Sequence, residues 1–267
     1  QKGGGWRDGI RGAHEVDLNT KVERSARLVK EFAEKWNGVY IAFSGGKDSA
    51  ALLALATEAL PPRLIRGVVF VEVTGNTDRC NIEYVYSFVG RLGLSEKLVH
   101  RRREDMDFFE ALVRWGVPQR KNRWCYQEFK QVVMNRINPP VYLVGVKHAD
   151  SRSREAWGWD KPKRLYGQFL FSPIWYWTDT DVRDYLRSRN IEPSPCYGLF
   201  GHSGNCMYCP FHRVSAIRRT VNHPCWGPRI LGHLALLRNE WGRREYRRWA
   251  RHASRTLEPW LPSRAHR

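Results

Sequence analysis

From Leu18 to Trp36, apolar residues at Val22, Ala26, Val29, Phe32, Ala33 and Trp36 recur at helical spacing, and Asn37-Gly38 ends the run. Val39-Tyr40-Ile41-Ala42 follows, a short apolar run rich in β-formers that predicts a buried strand. Asp48 to Ala56 is apolar all round and built from helix formers, which predicts a buried helix. The same reading gives strands at Gly67–Val73, Lys97–His100 and Val141–Val146, and helices at Asn81–Leu92, Asp105–Trp115 and Tyr126–Asn138. Strands alternating with helices predict an α/β fold, a parallel sheet with helices on both faces. Ligands of such sheets sit at the carboxyl ends of the strands. Three strands here end in marked residues: Ser44-Gly45-Gly46, Thr74-Gly75-Asn76 and Gly145-Val146-Lys147.

Beyond about residue 160 the pattern changes. Pro173-Ile174-Trp175-Tyr176-Trp177 leads into a helix with Thr178 as N-cap and Asp179 and Asp181 in its first turn, running to about Arg189. Pro193, Pro195 and a Gly/Cys-rich loop come next, then an Arg/Trp-rich helical tail from about Val214. The expected organisation is an N-terminal segment and helix over 1–37, an α/β domain over 38–190, and a Cys-rich, basic helical region over 191–267. No internal repeat is visible.

The first strand-to-helix junction carries Ser44-Gly45-Gly46-Lys47-Asp48-Ser49. A strand, a glycine turn and a helix together aim free backbone N–H groups and a positive helix end at an anion. Gly45 and Gly46 permit positive φ and close approach of a phosphate. Lys47 adds a point charge, and Ser44 and Ser49 add hydroxyls. The Walker pattern is absent, because Ile41 stands five residues before Gly46 and Asp48 follows Lys47. Asp48 suits a metal-side carboxylate and a first-turn acid equally well.

Charge changes the picture more than size does. The 267 residues carry 45 Lys+Arg against 27 Asp+Glu, a net +18, which favours a polyanionic partner, most simply nucleic acid, over a merely solvated basic surface. Trp226, Trp241, Trp249 and Trp260 are interleaved with Arg218, Arg219, Arg243, Arg244, Arg247 and Arg248. Such interleaving suits base stacking and phosphate contact, or a helix that packs its Trp inward. No run approaches the ~20 apolar residues of a membrane span, and no secretory h-region is seen. Six cysteines, two of them as Cys206-x-x-Cys209, read as metal ligands in a reducing, cytoplasmic setting. A four-ligand site needs two more from Cys125, Cys196, Cys225 and Cys80; zinc would accept such thiolates. Cys80 is expected to be a buried free thiol. His202, His212 and His223 flank the cysteine region.

The Ser44–Ser49 stretch resembles the S-G-G-x-D-S loop of the PP-loop ATP pyrophosphatases, enzymes that adenylate a substrate and release pyrophosphate. Phe70 to Asn76 is similar to the strand and T-G-N turn of that superfamily's phosphoadenosine-phosphosulfate-reductase-like branch. Arg123-Trp124-Cys125 with Phe129-Lys130 is similar to its R-x-C…L-K segment. Gly145-Val146-Lys147 with Ser151 and Arg154 is similar to its G-x-R…S-x-x-R segment, Lys147 standing where Arg is usual. Pro173 to Tyr185 resembles P-I-x-x-W-T-x-x-D-V…Y, and Gly204 to Pro210 resembles G-C-x-x-C-P with Asn205 as an extra residue. The likeness covers roughly residues 38 to 212.

The resemblance implies an adenine nucleotide alpha hydrolase-like fold that binds ATP with Mg²⁺. Backbone N–H groups of Gly45, Gly46 and Lys47 would hold phosphates, assisted by Ser44, Ser49, Gly145 and Ser151. Lys47, Asp48, Lys147 and Arg154 would form the catalytic set, the latter two cations facing departing pyrophosphate. Thr74, Gly75 and Asn76 would contact adenosine or simply end a strand. Cys125, Cys196, Cys206 and Cys209 would hold a [4Fe–4S] cluster, with zinc as the alternative metal and Cys225 as the substitute for Cys196. The branch contains sulfonucleotide reductases and ATP-dependent nucleic-acid modifiers. No cysteine follows Cys225, so the tail nucleophile of a reductase is missing and that reading ranks second. The expected function is ATP-dependent modification of tRNA or DNA, by sulfur insertion, with a sulfur-donor protein and self-association as possible partnerships. A nucleic-acid-binding protein without catalysis is the third reading, and the intact loop argues against it.

Overall fold

A computed structural model describes residues 17–119, 122–150, 161–165, 167–240 and 260. Helix α1 (Leu18–Lys35) starts where the Asp17 carboxylate accepts from the N–H groups of Asn19 and Thr20. The strands are β1 (Val39–Ala42), β2 (Ile65–Glu72), β3 (Leu98–Arg102), β4 (Val141–Val144), β5 (Lys163–Leu165) and β6 (Gln168–Phe171). They form one sheet in the order β3-β2-β1-β4-β6-β5. β1 runs parallel to β4, with Tyr40 opposite Tyr142, and β4 parallel to β6, while β5 returns antiparallel on β6. The predicted parallel α/β sheet is therefore present. Its β4 and Leu170-Phe171 are buried, as expected where both faces of a sheet are covered.

The chain divides into two compact units that interleave in sequence. The first contains α1, β1, α2 (Lys47–Ala59), the start of β2, β4 to β6, and α7 (Asp179–Ser188). In this unit α2 buries every residue from Ser49 to Ala56. Ser25 on α1 donates to the Pro173 carbonyl at 2.9 Å and accepts from Trp177 Nε1 at 3.0 Å, so the aromatic run before α7 is pinned to α1. A reciprocal capping box between Thr178 and Asp181 starts α7, as the sequence predicts.

The second unit contains Ser44–Gly46, the end of β2, α3 (Arg79–Arg91), β3, α4 (Phe108–Trp115) and a broken helix. That broken helix is α5 (Trp124–Tyr126), a π turn (Gln127–Gln131) and α6 (Val132–Ile137). Helices α8 (Cys196–Phe200), α9 (Val214–Val221) and α10 (Trp226–Glu240) complete it. Its core joins Phe108, Phe109, Trp124, Phe129, Tyr208 and Trp260.

Several boundaries differ from the sequence reading. The helix expected from Asp105 begins at Phe108, because Asp107 caps it by accepting from Phe109 N at 2.8 Å. The strand expected to reach Val146 stops at Val144. Strands β5 and β6 were not predicted, since three or four residues carry too little periodicity to separate from a loop. The described Trp226 and Trp260 pack into the core, which is the inward-packing alternative for those two positions. Trp241, Trp249 and Arg243 to Arg248 lie outside the described residues. Among the described residues no helix is long and apolar enough to cross a membrane.

Candidate functional site

The glycine turn after β1 is built as the motif requires. Gly45 has φ +76°, and a Cβ there would lie 2.3 Å from Asn81 Nδ2, so only glycine fits. Asn81 Nδ2 donates to the carbonyls of Ser44 (3.2 Å) and Ser203 (2.7 Å), bracing the turn from α3. Gly46 N–H donates weakly to Ser44 Oγ at 3.4 Å. A Cβ on Gly46 would meet nothing nearer than that Oγ, so this glycine faces room rather than a wall.

Within the first unit, the first turn of α2 carries a knot of charge. Lys147 is fully buried; its Nζ bonds to Asp48 Oδ1 and lies 3.1 Å from both Asp150 Oδ1 and Asp179 Oδ1. Lys47 Nζ lies 2.8 Å from the same Asp179 oxygen and 3.1 Å from Asp48. Burial works against the Lys147 charge, but Asp48 and Asp150 outweigh it and raise its pKa. Hydrogen bonding from Lys47, opposed by partial burial and reinforced by Lys147, lowers Asp179 to about 2. Gly145 lies so close to α2 that a Cβ would sit 2.8 Å from Ser49 N, which explains the glycine at this strand end. The structure thus brings Lys47, Asp48 and Lys147 together. Ser151 and Arg154 lie outside the described residues. Asp179 was read from sequence only as a first-turn acid; its contact with both lysines is non-local and left no local signal.

The Thr74-Gly75-Asn76 turn, expected to contact adenosine or to end a strand, makes contacts within its own unit. Asn76 is buried, with Nδ2 donating to Tyr208 O (3.0 Å) and Oδ1 accepting from Tyr208 N (2.7 Å). Its carbonyl also accepts from Met207 N at 2.8 Å. Thr74 Oγ1 donates to the Arg103 carbonyl. The Asn76 amide and carbonyl therefore hold the Cys206–Cys209 loop to the end of β2.

Lys130, which the π turn supplies, hydrogen-bonds Cys206 and interacts electrostatically with Cys209 and Cys125. Burial opposes the Lys130 charge, yet Cys206, Cys209 and the Cys206 hydrogen bond hold its pKa above the usual value. Burial, followed by the neighbouring Cys206, pushes Cys125 up to about 11 and Cys209 up to about 12. The sequence grouped Cys196 with these three. The structure instead sets Cys196 beside Cys80 and Asp78. Cys80 is a free thiol as expected but half-buried rather than buried, and Cys225 is exposed.

His212, three residues past Cys209, ranks behind the cysteines as a metal ligand in the sequence. Its ring stacks on His202 at 3.8 Å, and its Nδ1 is buried without a hydrogen-bond partner. Burial, then His202 and Lys130, lowers it to about 3, so the imidazole is neutral at pH 7. A neutral buried ring nitrogen is a metal donor. An exposed Phe211 stands beside it with the Arg123 guanidinium 4.4 Å from its ring centre.

Comparison with known proteins places these features in a family. Methanocaldococcus jannaschii proteins MJ0066 and MJ0973, both uncharacterized, are 27% and 24% identical over 211 and 204 residues, 74% and 73% of this chain. The chain spans less than half of either relative, 42% and 48%. The crystal structure of phosphoadenylyl-sulfate reductase from Candida auris, a phosphate complex, is similar at 14% identity with TM-score 0.49, over 73% of this chain and 94% of that one. The family model of the phosphoadenosine phosphosulfate reductase domain matches residues 38–210, from the strand before the glycine turn to the proline after the second loop cysteine, and the chain belongs to that family.

Proposed function

We propose that the protein is an ATP-dependent, AMP- and pyrophosphate-forming enzyme that modifies nucleic acid, inserting sulfur into tRNA or DNA. The observation that carries the reading is the pair Lys47 and Lys147 at the first turn of α2, both within 3.1 Å of one Asp179 oxygen. Two cations converging on one oxygen at the start of a helix suit a polyphosphate better than a neutral ligand.

In this mechanism the N–H groups of the glycine turn and of Lys47 bind the phosphates. Lys47 and Lys147 neutralise the charge that grows on pyrophosphate as an oxygen of the target attacks the α-phosphorus. Asp48 and Asp150 offer hard carboxylate oxygens, the donor type that suits Mg²⁺, and such an ion would help neutralise phosphate charge when bound. Arg154 is proposed to add a further cation.

Cys125, Cys206 and Cys209 offer the sulfur donors that a thiophilic centre takes, and Lys130, hydrogen-bonded to Cys206, would offset the charge gained on ligation. His212 offers the fourth donor through its unpartnered Nδ1. These residues would hold a [4Fe–4S] cluster, or zinc, and an iron–sulfur group there would supply sulfur or electron chemistry. The net charge of +18 and the Arg123–Phe211 pair support a nucleic-acid substrate.

A sulfonucleotide reductase is the second reading, favoured by the family's name. Product analysis separates the two. Incubation with ATP, Mg²⁺ and tRNA or DNA should yield AMP and pyrophosphate. ADP as product, or sulfite released from an adenylated sulfate with a thiol reductant, would overturn the proposal.

A further inference from the structure

Cys196, expected with Cys125, Cys206 and Cys209, lies beside Cys80 and Asp78. Its Sγ, the Cys80 Sγ and an Asp78 carboxylate oxygen all lie within 4.8 Å of one another. Cys196 is buried, and Asp78 and Cys80 are half-buried. We propose that Asp78, Cys80 and Cys196 form a second metal site, separate from the Cys125–Cys206–Cys209 group, that binds one zinc ion.

The three donors have the right kind and spacing. Tetrahedral zinc with Zn–S near 2.3 Å sets two thiolates about 3.8 Å apart, inside the observed separation limit. Two thiolates and a carboxylate select a thiophilic divalent ion over Mg²⁺ or Ca²⁺. Binding would displace two thiol protons and leave a fourth position for water.

The donors are also oriented from behind, as metal ligands are. Asp78 Oδ1 accepts from Cys80 N at 2.8 Å, and Oδ2 accepts from Trp226 Nε1 at 2.5 Å, so the carboxylate cannot rotate away. Cys80 lies in the first turn of α3, directly after the Asp78 cap. On the Cys196 side, Gly204 has φ +81°, and a Cβ there would lie 2.8 Å from the Cys196 Sγ. The backbone closes directly over that sulfur.

The neighbours of this site give it a purpose. Asn81, one residue past Cys80, donates to the Ser44 and Ser203 carbonyls. Tyr197, one residue past Cys196, places its hydroxyl 3.7 Å from where a Gly46 Cβ would be. A zinc ion joining α3 to α8 would therefore fix two elements that brace the glycine turn, a structural role in the second unit.

The test is metal analysis of the full chain purified anaerobically with reductant, followed by zinc titration against a chromophoric chelator. Cys80→Ser and Cys196→Ser should each lose one equivalent of zinc, while Cys206→Ser keeps that equivalent. Asp78→Asn retains the helix cap and should bind this zinc at least about tenfold more weakly. Circular dichroism of Asp78→Asn guards against a folding defect. Unchanged zinc content and affinity in Cys80→Ser and Asp78→Asn would overturn the proposal. So would wild-type protein whose only zinc disappears with Cys206→Ser, or a Cys80–Cys196 disulfide in anaerobically purified protein.

Discussion

Asp179 Oδ1 accepts from Lys47 Nζ at 2.8 Å, tying the first residue of α7 to the first residue of α2. A carboxylate so placed occupies a cation that the phosphates of ATP would need. Asp179→Ala should therefore bind pyrophosphate and ATP several-fold more tightly, read by calorimetry at constant salt. An unchanged or weaker affinity would refute this competition.

The same contact sets a pH window. The folded-state pKa of Asp179 is lowered to about 2, below an unfolded value near 3.9. A depressed carboxylate stabilises the fold above its unfolded pKa, and that contribution fades as pH falls from about 4 to about 2. Asp179→Asn should melt below wild type at pH 6, with the gap closing over that window. A gap that persists at the acid end would show that the charge is not its source.

Lys147 is the buried member of the knot. Lys147→Met should cost roughly 1.5–3 kcal/mol from lost charge-assisted bonds, since Asp48, Asp150 and Asp179 retain solvent access. Pyrophosphate release should fall at least tenfold, while Lys147→Arg restores part of it. Chemical denaturation and a coupled pyrophosphate assay measure both.

Asn76→Ala should loosen the Cys206–Cys209 loop by removing both side-chain bonds to Tyr208. Loss of two buried bonds predicts about 1–3 kcal/mol and a drop in bound iron or zinc. His212→Ala should lower the metal content of the Cys206 centre, whereas Cys196→Ser should leave that centre loaded. Ultraviolet–visible spectra with iron and sulfide assays distinguish these outcomes, and the reverse result would restore Cys196 as its ligand.

Nucleic-acid binding should weaken linearly with log[salt], by a slope of roughly −0.7 per phosphate contact for single strands. Replacing Arg243, Arg244, Arg247 and Arg248 with alanine should flatten that slope and leave ATP binding intact. Filter binding of tRNA, single-stranded and duplex DNA at several salt concentrations measures it. Equal slopes for both proteins would remove the tail from the interface.

Local pattern was enough for the parts of this protein whose partners are near in sequence. Val39–Ala42 reads as a strand from its β-formers alone, and Val39 and Ile41 are its buried positions while Tyr40 and Ala42 are partly exposed. Gly45 must be glycine because the turn needs positive φ, and Thr178 caps its own helix three residues away. The family likeness likewise rested on short motifs, and the match over 38–210 agrees with it.

Pairings between distant segments were decided only by tertiary structure. Asn76 carries no local sign of its partner, Tyr208, which stands 132 residues on and takes both ends of its amide. Asp179 reads as a helix-start acid until Lys47 and Lys147 reach it. Cys196 reads with the C-x-x-C loop because ten residues separate them, yet folding carries its sulfur to Cys80 and Asp78. A sequence constrains which groups a residue offers, through backbone preference and side-chain chemistry. Which partner receives them depends on long-range packing, and no local window of this chain contains both halves of those contacts.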